Sequence, residues 1–175
     1  VLWGLAAWGL SRISKTLGQY RAMLSLLSAG TFLVSFILMI VGAFTSQNYS
    51  DIYFSSFTHI FPFFAGSILA TLSGINSVSL HFKHLEEKFH LKHILRTLGS
   101  SIVILLILSF VLKFESIWTY LFGFLLSTVL ACVMIVTTRI LHDKLPNSKE
   151  PLWLRFVADT SYGVYLFHWP FYIIF

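Results

Sequence analysis

Apolar residues in this chain do not alternate. They come in long runs, separated by short connectors in which the polar residues are mostly basic. Runs over 22–45, 58–75, 97–113, 117–138 and 155–175 approach the ~20 residues that a membrane-spanning helix needs. A shorter run, VLWGLAAWGL, opens the chain. The pattern predicts an all-α fold, a polytopic transmembrane helical bundle of about five complete spans and one cut span. The sequence opens on Val1 rather than Met and stops at Phe175 inside an apolar run. Residues 1–175 are therefore expected to be part of one larger membrane domain.

Composition agrees with the periodicity. Hydrophobic residues make up 57% and charged residues 11%, about half the charged fraction of soluble domains, which excludes a soluble globular class. The single cysteine, Cys132, sits inside an apolar run, so neither a disulfide framework nor a cysteine metal site is expected.

The basic residues then orient the bundle. Arg12, Lys15 and Arg21 fall in connector 11–21. Lys83, Lys88, Lys92 and Arg96 fall in 76–96, and Arg139, Lys144, Lys149 and Arg155 in 139–155. Of all basic residues only Lys113 lies in an alternate connector, so the positive-inside rule makes the three basic connectors cytoplasmic and puts 46–57 and Glu115 outside. The net charge of +5 is thereby a consequence of topology, and no nucleic-acid partner is inferred from it. The expected partner is the lipid bilayer, and the expected location the cell membrane.

Three polar constellations stand out against the apolar background. In the last run, Ser161, Tyr165, His168 and Tyr172 follow one another at spacings of four, three and four, which puts them on one helix face. An ionisable residue in a span marks a functional site, although hydroxyls and imidazoles also serve as interhelical glue. Pro170 removes a backbone hydrogen bond beside His168 and frees the Leu166 carbonyl, which favours a cavity there. Around 53–59, Tyr53, Ser55, Ser56, Thr58 and His59 crowd a membrane edge. They read either as a hydrogen-bonding site for a sugar-like acceptor or as a helix start, with Ser56 or Thr58 as N-cap and Tyr53 as an interfacial anchor. In HFKHLEEKFHLKH, His81, His84, His90 and His93 form two His-x-x-His pairs. Phe82, Leu85 and Phe89 at helical spacing instead favour an amphipathic helix on the inner leaflet over a metal site, and no metal is expected.

Small residues and charges offer packing cues. Gly123, Ser127 and Ala131 make a smooth ridge for close helix packing, and Gly66 with Ala70 makes a shorter one. Arg155 and Asp159, four apart, are expected to pair at the start of the last span.

Two of these motifs together resemble acyltransferase family 3, the integral-membrane O-acyltransferases. TSYGVYLFHWPF, residues 160–171, is similar to that family's "iSYslYLwHwPi" helix: Ser161, Tyr162, Tyr165, Leu166, His168, Trp169 and Pro170 fall on the pattern. Tyr53, Thr58, Gly66 and Ala70 fall on its "YYGTDTRa…GallA" segment. Here Phe57 stands where the family pattern has an acidic residue, and His59 where it has an arginine. The chain resembles the C-terminal half of the family's membrane domain and is most similar to bacterial peptidoglycan O-acetyltransferases.

The resemblance implies transfer of an acyl group, usually acetyl, from cytosolic acyl-CoA to a hydroxyl of a cell-surface glycan, with no bound cofactor. It implies supporting catalytic roles for His168 and Tyr165. The main catalytic His is expected in a preceding helix of the family, and an SGNH-type extracytoplasmic domain is a possible further partner. Tyr53, Ser56, Thr58, His59, Ser161, Tyr162 and Trp169 are the implied substrate-binding positions. The alternatives are a translocator of a lipid-linked sugar or acyl carrier, binding near the midplane without chemistry, and an inactive remnant.

Overall fold

The structure, a computed structural model, describes residues 2–46, 48–73, 89–113, 115–145, 152, 155–161 and 163. Among these the regular structure is entirely helical: α1 (Leu2–Ile13), α2 (Leu17–Thr45), α3 (Tyr49–Phe54), α4 (Ser56–His59), α5 (Phe61–Ser73), α6 (Leu91–Val111) and α7 (Phe124–Lys144). One turn of π-helix, Thr119–Gly123, leads directly into α7. The chain divides into two units, 1–144 and 145–175.

Within the first unit, three helices are long and apolar enough to cross a membrane: Leu17–Thr45, Leu91–Val111 and the continuous stretch Thr119–Lys144. Their apolar side chains are extensively exposed, including Leu26, Val34 and Ile37 on α2 and Leu106, Ile107 and Phe110 on α6. Apolar surface on that scale marks a membrane protein, in which lipid rather than water meets those side chains.

The helices run further into the basic connectors than apolarity predicts. α2 starts at Leu17 rather than at 22, because Thr16 caps it: the Thr16 hydroxyl accepts from the Gln19 amide at 3.2 Å. The Gln19 side chain reaches back and accepts from the Lys15 amide at 3.1 Å. This is a T-x-x-Q arrangement close to a capping box. α7 runs on to Lys144, where His142 and Lys144 complement the negative end of the helix dipole. Lys144 Nζ donates to the Phe89 carbonyl at 2.6 Å and ties the end of α7 to the start of α6.

Within the expected span over 58–75, α4 is a single turn, Ile60 separates it from α5, and α5 is described from Phe61 to Ser73. Pro62 occupies the second position of α5, where its missing amide hydrogen costs little. α3 and α4 fold back onto α2. The Ile52 side chain packs directly over Gly42.

The core lies at this end of the unit. Met39 and Ala43 of α2, Ile52 of α3, Phe61 of α5 and Tyr120 of the π turn are buried together, with Phe32, Phe36, Tyr49, Ile117 and Phe124 against them. Phe61 meets its neighbours edge-on, Phe32 at 5.7 Å and Phe36 at 5.6 Å, while Phe32 and Phe36 stack on each other. Asp51 and Glu115 stand at this end, while Arg21, Lys92, Arg96, Arg139 and Lys144 belong to helix ends at the other.

The two small-residue ridges have different outcomes. Gly123 packs under Leu112 at the α6–α7 turn, as a close-packing ridge requires, but Ala131 is exposed. Gly66 has nothing within 4 Å of a built Cβ, so no described helix is seated on the Gly66–Ala70 face.

In the second unit, 155–161 are helical. Arg155 Nε and Asp159 Oδ2 are 3.9 Å apart with both side chains largely exposed, a pairing worth little in stability.

Candidate functional site

Residues 53–59 are shaped by two hydroxyls. At the break between α3 and α4, Ser55 is extended and leaves the last carbonyls of α3 without helical partners. The Thr58 hydroxyl supplies one, donating to the carbonyls of Ile52 and, at 2.9 Å, Ser55. From α2, the Ser35 hydroxyl donates to the Phe57 carbonyl at 2.6 Å. Thr58 is therefore buried and structural. It is not the N-cap, and neither is Ser56. Ser55 holds that position, without a side-chain cap bond, because the chain turns one residue earlier.

The same turn drives His59 inward. Its imidazole is wedged between Tyr53, with ring centroids 5.0 Å apart at 67°, and Phe124, 4.7 Å apart at 81°. Both contacts are edge-to-face. Both ring nitrogens are buried and meet no hydrogen-bond partner among the described residues. The Ile52 carbonyl, close to the ring, already accepts from the Thr58 hydroxyl. A desolvated nitrogen pair without partners is costly to the fold. It is also what a polar ligand needs, since a neutral imidazole offers one donor and one acceptor.

Tyr53 and His59 are thus brought together, and Tyr53 keeps 41% of its surface exposed. Ser56 lies on the exposed side of α4. Ser161, in the second unit, is exposed, and its hydroxyl donates to the Ala158 carbonyl of its own helix at 2.8 Å. Tyr162, Tyr165, His168 and Trp169 lie outside the described residues, as do Leu166, Pro170, Tyr172, His81 and His84. His90 and His93 have ring centroids 6.2 Å apart, and among the described residues no three His, Cys, Asp or Glu side chains are grouped for a metal.

Sequence reasoning missed Phe124, Tyr120, Tyr49 and Ser35. Tyr120 of the π turn and Phe124, the first residue of α7, have ring centroids 5.6 Å apart. Their spacing of four was the available signal. Nothing in the sequence marks Ser35 apart from other serines on apolar helices.

Compared with known proteins, the chain matches no family model, no curated protein and no solved structure.

Proposed function

We propose that this chain is part of a multi-pass membrane O-acyltransferase. It passes an acyl group, usually acetyl, from cytosolic acyl-CoA to a hydroxyl of a cell-surface glycan such as peptidoglycan. The observation that carries this reading is His59, whose buried ring nitrogens lack partners beside the half-exposed Tyr53. A fold tolerates such a group where a ligand uses it. The similarity of residues 160–171 to the acyltransferase family 3 helix supports the same reading.

In this scheme the glycan hydroxyl enters beside Tyr53 and His59, which position it by hydrogen bonds. The hydroxyl oxygen attacks the carbonyl of the acyl thioester, presented across the membrane on the pantetheine arm of a CoA whose nucleotide stays cytosolic; a base takes the hydroxyl proton, and the CoA thiolate leaves back to the cytosol. Donors hold the negative charge that develops on the carbonyl oxygen. The resemblance of residues 160–171 to the family's helix assigns Tyr165 and His168 supporting roles in acyl transfer and Ser161, Tyr162 and Trp169 roles in substrate binding.

The test is surface O-acetylation in cells making the full-length parent with His59→Ala, Tyr53→Phe or His168→Ala. Each variant is expected to insert normally and to acetylate less. Wild-type acetylation by all three would refute the assignment.

A further inference from the structure

A second concave feature of the first unit has no part in that scheme. α1, α2 and α5 enclose an open trough of about 800 Å³. Its floor is the α5 face carrying Gly66 and Ala70, whose small side chains make it concave. Trp3 closes one end, its ring edge-on to Phe64 at 4.9 Å. Leu24 forms part of the wall, and Tyr20 and Arg21 stand at the basic end of α2.

The chemistry of the lining is lopsided. Its hydroxyls on α5 are already engaged: Ser67 with Ser28 at 2.9 Å, and Thr71 with the Ile68 carbonyl at 2.8 Å. No described acidic residue pairs with Arg21. The trough therefore offers a long apolar slot with one cationic end. Between Pro62 and Thr71, α5 rises roughly 14 Å at ~1.5 Å per residue, about half of a ~30 Å hydrocarbon core. That is the depth of one leaflet.

We infer that this trough is a binding site for an anionic phospholipid of the leaflet on the basic side. One acyl chain lies on Gly66 and Ala70, and the phosphate is held by Arg21 and the Tyr20 hydroxyl. Charge complementarity selects the lipid over another helix. An apolar helix on the same face would leave the guanidinium facing the slot without an anion. The inference rests on membrane insertion of α2 and not on acyl transfer, so a failed acetylation assay leaves it standing.

The test is native mass spectrometry of the full chain, extracted from nanodiscs of equal phosphatidylglycerol and phosphatidylcholine. Wild type is expected to retain phosphatidylglycerol several-fold over phosphatidylcholine. Arg21→Gln should abolish that preference while still retaining lipid, and Ala70→Phe should fill the slot and release the retained lipid. Equal retention of the two lipids by wild type overturns the inference. So does an unchanged preference in Arg21→Gln, displacement by glycerol phosphate without acyl chains, or a dimer that Ala70→Phe breaks. Should Ala70→Phe fail to insert, Arg21→Gln decides by itself.

Discussion

Tyr120 lies flat against Tyr49. Their ring planes differ by 12°, their centroids are 5.2 Å apart, and the Tyr120 hydroxyl donates to the Tyr49 carbonyl at 3.4 Å. The contact fastens α3 to the π turn that opens α7, and so fixes the wall behind His59. Tyr120 is fully buried. Tyr120→Ala should therefore cost about 3–5 kcal/mol, the usual loss for a buried aromatic. Tyr120→Phe keeps the stack and should cost about 0.5–1.5 kcal/mol. Thermal unfolding in detergent, followed by circular dichroism, separates the two; equal losses would show that the stack contributes nothing.

The role proposed for His59 would set function against fold stability. Its nitrogens are buried without partners, between two aromatic edges that would accept a phenyl ring equally well. His59→Phe should stabilise the first unit by about 1–3 kcal/mol, because a desolvated polar group is removed. The same variant should lose surface O-acetylation in the full-length parent. A destabilised variant would mean that the imidazole has partners in the folded protein.

The sequence announced the all-helical, membrane class clearly, because runs of apolar residues carry both the length and the period of the signal. Helix ends were harder to read. Leu17–Arg21 joined α2 through the Thr16 and Gln19 bonds, a capping pattern that apolarity does not register. The interruption at Ile60 was not legible, because the Ser35 bond to the Phe57 carbonyl beside it joins two different helices, and a local pattern cannot contain such a bond. Tyr53 and His59 were legible as candidates because polar residues at an apolar edge are conspicuous. Their aromatic enclosure was not, since Phe124 reaches His59 only once α7 has packed.

Orientation can be tested directly from the ends of the first unit. Asp51 and Glu115 stand at one end, and Lys92 at the other, close to the bond between Lys144 and the Phe89 carbonyl. On the proposed topology, a membrane-impermeant maleimide should label Asp51→Cys and Glu115→Cys in intact cells, in a Cys132→Ser background. Lys92→Cys should be labelled only after permeabilisation. The reverse pattern would invert the bundle and put the His59 site on the cytoplasmic side.

The turn between α6 and α7 concentrates its demands on Gly123. A Cβ built there would meet Leu112 Cδ1 at 2.5 Å and Cδ2 at 3.2 Å, and the conflicting atoms are the ends of one flexible side chain. The turn itself is held by the Thr119 hydroxyl, which donates to the Lys113 carbonyl at 2.7 Å, so its backbone has little freedom to yield. Gly123→Ala forces Leu112 into another rotamer but gains up to about 1 kcal/mol of helix propensity, so its net effect should be within about 1 kcal/mol of zero. Gly123→Leu has no such escape, and overpacking should cost about 1–3 kcal/mol. Adding Leu112→Ala to Gly123→Leu opens the space that the new side chain needs, so part of the loss should return. Stability measured for the two single variants and the double variant in detergent makes this a cycle. Simple additivity would mean that Leu112 and Gly123 do not touch in the folded protein, and the α6–α7 turn would then owe its tightness to the backbone bonds around Thr119.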